Sequence, residues 1–307
     1  MPDAPLVAGL LIGHAQDHAA RTGCTVLLGP FRAAADVRGM ATGTRELQSL
    51  SPLALAGRAD AILLAGGSAY GLAAADGVMR WLERQGRGFA TPAGVVPIVP
   101  AAVIYDLAVG RADVRPDATM GEAACEAASA TPALQGQVGA GCGATVGKLL
   151  GPAGAMAGGI GIFTAADAPG SITAVAVVNA LGDVRDEHGR IIAGARRPDG
   201  TFADAAQLLR QGVPAPPPQL ATNTTLVAVV TDSPLGRTDL QALARLAATG
   251  VARRITPVHT PFDGDVVFAA STAPEPSATG PAALLALGAV AAHAVAQAIE
   301  RAVRPQP

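Results

Sequence analysis

At 307 residues the chain can bury a sizeable core, and with 50% hydrophobic but only 15% charged residues, against roughly 25% charged in an average domain, it carries little solvated surface. A formal net charge of -2 and a pI near 6.2 exclude the basic field that attracts phosphate backbones, so nucleic acid is not an expected partner. The composition shows no break into halves, so residues 1–307 are expected to form one large domain, and the sparse charge suits a homo-oligomer.

Met1-Pro2-Asp3-Ala4-Pro5 lacks the charged region and apolar core of a secretory signal, and the three scattered cysteines, Cys24, Cys125 and Cys142, suit a reduced compartment. A cytoplasmic protein is therefore expected. Thr25 to Leu28 reads as a strand ending at Gly29-Pro30, and Ala61 to Leu64 as another ending at Gly66-Gly67. The spacing of Leu72, Ala75, Val78, Met79 and Leu82 predicts a helix up to Gly86. The turn between them, Gly66 to Gly71, fits neither the dinucleotide nor the Walker pattern.

Val95 to Tyr105 is apolar and β-prone, but Pro97 and Pro100 confine it to an edge or to irregular structure. Gly139 to Gly151 is glycine-rich and holds one lysine, Lys148, in nearly uncharged surroundings. Partial burial would lower its pKa and fit it for chemistry; the plain alternative is a surface residue. Ile172 to Val178 is a β-branched run that leaves Asn179 at a strand end, where asparagine often only forms a turn. From Arg196 through Pro214, Pro216, Pro217 and Pro218 the chain reads as an exposed, extended linker.

Beyond the linker, residues 225–231 predict a strand, and Thr238-Asp239-Leu240-Gln241 has the form of a capping box. The helix that follows should stop at Gly250. A second strand, Val266 to Ala270, follows the turn at Asp263-Gly264, which completes a β-α-β unit with two carboxylates, Asp263 and Asp265, at the second strand's entrance. The apolar tract Ala282 to Ile299 approaches the roughly 20 residues of a bilayer span, but it is mostly alanine with His293 and Gln297. A buried terminal helix over Pro281 to Val303 is expected instead.

The stretch Thr222-Asn223-Thr224-Thr225 stands between the linker and the 225–231 strand. A threonine hydroxyl needs a base, and one solution is the residue's own α-amine, with a pKa of about 8. That amine exists only if the Asn223-Thr224 bond is cut, which would leave chains of 223 and 84 residues (307 − 223 = 84). Read by itself, the stretch is also a loop entering a strand.

The stretches Gly13 to Asp17, Thr22 to Thr25, Gly43 to Glu46, Leu64 to Leu72, Val96 to Leu107 and Asn223 to Leu226 together resemble the DmpA family. This L-aminopeptidase/D-esterase group includes the nylon oligomer hydrolases. The resemblance implies an α/β fold of four layers, an αββα sandwich, with self-cleavage into associated chains 1–223 and 224–307, assembly as a tetramer or larger, and no cofactor or metal. It further implies Thr224 as nucleophile, with Asn179 and Tyr105 near the oxyanion and acyl carbonyl. Lys148, Asp263 and Asp265 match the nylon hydrolase branch, whereas the aminopeptidase branch has serine and glutamate at the last two positions. The expected activity is hydrolysis of small peptides, amino acid amides and esters, or linear 6-aminohexanoate oligomers.

Other readings compete. His14 and His18 have the spacing of a metal pair on a helix, without an evident third ligand. Cys142, between two glycines, could serve as a thiol nucleophile. An acyl transferase like the ornithine acetyltransferases, or a binding protein that keeps the fold without activity, are the alternatives to a hydrolase.

Overall fold

Apolar residues that run without polar interruption, as in 172–178 and 226–230, suit strands covered on both faces. The computed structural model describes residues 4–131, 134–167, 170–214 and 223–304, and it places these runs at the centre of two stacked sheets. The first sheet contains β1 (Leu11–Asp17), β2 (Thr22–Val37), β3 (Ala59–Ala65) and β4 (Ala101–Val103), with the short strand Thr44–Arg45 at its edge. The second contains β5 (Gly159–Asp167), β6 (Gly170–Asn179), β7 (Thr224–Thr231) and β8 (Val266–Ser271), bordered by the end of β2. Residues 22–31 of β2 pair with β1 and β3, and residues 32–37 pair with β8. One strand thus joins both sheets.

Alternation along the strands sorts the core into layers. Leu226, Ala228 and Val230 of β7 meet Leu27, Ile62, Leu64 and Phe268 between the sheets. Their neighbours Val227 and Val229 face outward onto α4 (Arg237–Ala252) and α5 (Pro281–Val303), where Leu240, Leu243, Val295 and Ile299 cover them. On the far side Val26, Leu28 and Leu63 pack under α1 (Ala74–Arg84), with Cys125 of α2 (Ala118–Glu126) in the same cluster. The order is helix, sheet, sheet, helix, the four-layer αββα sandwich expected from the resemblance. The β-α-β unit is also present, since β7 and β8 pair in parallel around α4. α5 is long and apolar enough to cross a membrane by length and composition, and here Leu287, Ala291, Ala294, Val295 and Ala298 pack into the outer core.

Several expectations require correction. β2 does not end at Gly29-Pro30; it continues to Val37, with a register shift between Leu28 and Phe31 where it passes from one sheet to the other. Residues 97–100 are irregular, as expected from their prolines, but Ala101–Val103 is a strand of the large sheet one place in from the edge, and the carbonyls of Ile98 and Pro100 accept hydrogen bonds from Asp60 and Leu63. The prolines lie just outside the ladder.

Residues 196–214 are not an extended linker, because α3 (Ala205–Arg210) forms there on an Asp204 cap and the buried Asp183 carboxylate accepts the Ala205 N–H at 2.6 Å. Pro216, Pro217, Pro218 and Thr222 lie outside the described residues. The capping box at Thr238 is not realised: the helix starts at Arg237 behind Gly236, with no side-chain cap.

Gly250 does not stop α4, which continues to Ala252. The glycine marks a close helix crossing, since a Cβ there would collide with the Ala292 carbonyl oxygen of α5. In an ordinary helix interior Gly→Ala gains up to about 1 kcal/mol, but crowding of this kind costs about 1–3 kcal/mol. Gly250→Ala is therefore expected to lower stability in urea titration, and a gain would contradict the crossing.

Candidate active site

Pairing of β6 with β7 in antiparallel register sets Asn179 directly opposite Thr224. Asn179 is thus the last residue of a strand rather than a turn former. Its side chain is fully buried and bonded on both ends. Oδ1 accepts from Lys148 Nζ at 2.7 Å and from the Thr145 N–H at 3.1 Å, while Nδ2 donates to the Tyr105 carbonyl at 3.2 Å. Lys148 Nζ also donates to the Asn179 carbonyl at 3.0 Å.

On the other side of Thr224 lies the turn before β8. Thr224 is only 4% exposed, and its Oγ1 donates to the Asn223 carbonyl oxygen at 2.5 Å. The Gly264 N–H donates to that same oxygen at 2.9 Å. Asp265 accepts the Thr225 N–H at 2.6 Å, the His259 N–H at 3.2 Å and His259 Nδ1 at 2.8 Å. The Asp263 carboxylate accepts the Thr260 N–H at 2.7 Å, and Asn223 forms a parallel bridge with Asp263. The fold therefore brings Thr224, Asn223, Lys148, Asn179, Tyr105, Asp263 and Asp265 to one place from five separate segments.

Charge at this place is finely poised. Lys148 keeps partial solvent access, but its ammonium is densely surrounded and burial pulls its pKa down to about 7, against the opposing pull of Asp263 and Asp106. Burial and the neighbouring Asp265 carboxylate push Asp263 above the usual range, with Thr260 and Lys148 acting in the opposite sense. Asp106 is likewise raised by burial, although the Gly67 N–H at 2.7 Å and the Thr22 hydroxyl at 2.8 Å hold its charged form. Of the 22 basic residues Lys148 is the only lysine; the other 21 (22 − 1) are arginines. Arginine stays protonated in proteins, so Lys148 is the one basic side chain of the Lys/Arg class able to give up its proton near neutrality.

A cleft of about 150 Å³ opens onto Thr224, walled by Ala41, Thr42, Ser68, Ala69, Ile104 and Tyr105, with no charged residue among the described residues of its lining. A larger groove of about 410 Å³ lies between α1 and the segment 95–97, lined by Arg45, Asp76, Arg80 and Glu83. It touches neither Thr224 nor Lys148, so size does not identify the site.

The other candidates lie elsewhere. His14 sits in β1, a strand and not a helix, bonded through Nδ1 to Thr25 at 2.9 Å, and burial drives its pKa down to about 4. Cys142 has His18 Nδ1 at 3.9 Å, but burial raises the thiol pKa and disfavours the thiolate. Reading the sequence missed Gly264, His259, Thr145 and Asp106. Of these, Gly264 alone stands at a conspicuous place in the sequence, between two aspartates, and nothing there points to its N–H.

A family model described as peptidase family S58 matches residues 6–305. A Mycobacterium tuberculosis protein named as an uncharacterized aminopeptidase is 42% identical over 320 residues, covering 97% of this chain and 87% of the relative. The 6-aminohexanoate-oligomer endohydrolase of a Kocuria species is 35% identical over 281 residues, covering 86% of this chain and 73% of the relative. Among solved structures, the L-aminopeptidase D-Ala-esterase/amidase of Ochrobactrum anthropi aligns with a TM-score of 0.73 at 19% identity, over 98% of this chain and 87% of that one. A Burkholderia β-aminopeptidase aligns with a TM-score of 0.69 at 22% identity, over 98% and 88%. These two likenesses concern the fold, which is that of an N-terminal nucleophile hydrolase.

Because the folded pKa of Lys148 lies below the ordinary 10.5, the unfolded chain binds the extra proton between about pH 7 and 10.5. Stability from this group is therefore present above 10.5 and lost as pH falls through 7. Lysine labelled with ¹³C at Cε should give one side-chain signal, titrating near pH 7; a midpoint above 10 would contradict the buried site.

Proposed function

The chain belongs to peptidase family S58, and from that premise we propose that it is a self-processing amidohydrolase whose nucleophile is Thr224. The observation that carries the reading is the Thr224 hydroxyl at 2.5 Å from the Asn223 carbonyl oxygen, opposite an asparagine bonded to the only lysine. In the uncut chain no α-amine exists at Thr224. Lys148, neutral in a substantial fraction at pH 7, takes the Thr224 proton, and Oγ1 attacks the Asn223 carbonyl carbon. The C–N bond breaks as the Thr224 nitrogen accepts a proton, which leaves an ester, and water hydrolyses it to chains 1–223 and 224–307.

The freed Thr224 then attacks substrate amides, with its own amine or Lys148 as base, through an acyl-enzyme. Asn179 Nδ2, next to the Tyr105 carbonyl in the uncut chain, supports the substrate oxyanion once cleavage reshapes the site. Asp265 holds the start of β7 through the Thr225 N–H, so of the two aspartates Asp263 is the one left to face Lys148 or a substrate amine. The names of the relatives favour hydrolysis over transfer to an amine acceptor. Exposed Met40, Leu53 and Leu55 support a homo-oligomer, and a mass near 30 kDa by light scattering would contradict that part.

The small, uncharged cleft favours acyl groups with small neutral side chains, so amides of small peptides, of alanine-like amino acids or of linear 6-aminohexanoate oligomers are the expected substrates. Alanine p-nitroanilide is expected to be cleaved with kcat/KM about 100-fold above that of the glutamyl analogue, since a charge buried in this cleft finds no partner. Equal rates would contradict the assignment of the cleft. Thr224→Ala is expected to lose turnover and the acyl adduct seen by mass spectrometry. Hydrolysis at the wild-type rate in that variant would place the nucleophile elsewhere.

A further inference from the structure

We infer that the Gly264 backbone N–H is the oxyanion donor for self-cleavage, a role distinct from that of the Asn179 side chain in turnover. The inference rests on the self-processing reading and adds which group stabilises its first transition state. The oxygen that gains charge when Thr224 Oγ1 attacks is the Asn223 carbonyl oxygen, and the Gly264 N–H already donates to it at 2.9 Å. The Asn179 side chain bonds instead to Lys148, Thr145 and Tyr105.

The donor is held rigidly. The Asp263 carbonyl accepts the Ala41 N–H at 2.9 Å, and the Asp265 carbonyl accepts the Arg38 N–H at 2.9 Å. The Asp265 carboxylate is tied to Thr225 and His259, and the Asp263 carboxylate to Thr260. Both residues flanking Gly264 are therefore fixed by backbone and side chain together, so its N–H needs no reorientation as charge develops. Residue 264 must also be glycine. A Cβ there would stand 2.8 Å from Thr224 Oγ1 and 2.7 Å from the Ala41 carbonyl oxygen, and would push the nucleophile from the carbonyl it attacks.

The step balances without a co-reactant other than water. The Thr224 hydroxyl proton passes to Lys148, the Oγ1–C bond forms, and the carbonyl electron pair moves onto the oxygen facing Gly264. Collapse breaks the C–N bond, and the lysine's proton goes to the departing Thr224 nitrogen. Hydrolysis of the ester returns the hydroxyl and leaves Asn223 with a carboxylate.

The test replaces Gly264 by glycolic acid through suppressor-tRNA incorporation, which exchanges the N–H for an oxygen and leaves the shape. Conversion of the full-length chain is followed by denaturing mass spectrometry, beside wild type and Thr224→Ala, with folding checked by circular dichroism. The expected result is cleavage slowed about 100-fold and not restored by hydroxylamine, because the ester that hydroxylamine would capture forms slowly. Cleavage at the wild-type rate, or slow cleavage that hydroxylamine restores, overturns the inference while leaving Thr224 as nucleophile. Gly264→Ala keeps the donor and adds the crowding methyl, so it tests the contact if the ester chain does not fold. Slow cleavage in that variant is expected, and wild-type cleavage would overturn the need for glycine. An uncut wild type in the same experiment would instead remove the self-processing reading itself.

Discussion

The antiparallel register of β6 on β7 sets Asn179 opposite Thr224, and the rest of the site follows from that pairing. A slip by one residue would turn Thr224 to the other face of the sheet and remove it from Asn179, Lys148 and the cleft. The register is secure because both faces of these strands are buried: Val175, Val177, Leu226 and Val230 face the other sheet, while Val178, Val227 and Val229 face the helices. A site that needs sub-ångström placement thus draws its precision from ordinary hydrophobic layering.

Electrostatics then set the charge state of the candidate site. A lone lysine in a chain otherwise supplied with arginine, sunk beside a carboxylate that burial also disfavours, is held near its titration midpoint at neutral pH. The shift of the lysine comes from burial and is opposed by the nearby Asp263 and Asp106 carboxylates, so desolvation outweighs the charges around it. Lys148 reaches the carbonyl and the side-chain oxygen of Asn179, which connects the lysine to the strand pair that carries Thr224.

The layered fold was legible because its strands are long apolar runs with clear ends, and the β-α-β unit around α4 was legible for the same reason. The continuation of β2 through Gly29-Pro30 was not, since passage between sheets depends on what the strand meets and not on its own residues. The helix start at Arg237 likewise overrode a local capping pattern. In the site, Thr224, Lys148, Asn179 and the two aspartates could be named from resemblance and residue type. His259, Thr145 and the Gly264 N–H could not, because their parts are played by backbone groups or by side chains that meet only after the turn at 259–265 folds against 38–41.

The proposed chemistry depends on one covalent event, the cut before Thr224. Amino-terminal sequencing of the purified wild-type protein, combined with its denatured mass, reads that event directly. The account predicts a second amino terminus beginning Thr224-Thr225-Leu226 on a chain of 84 residues (307 − 223). A single amino terminus at the start of a 307-residue chain that hydrolyses amides at full rate would contradict it.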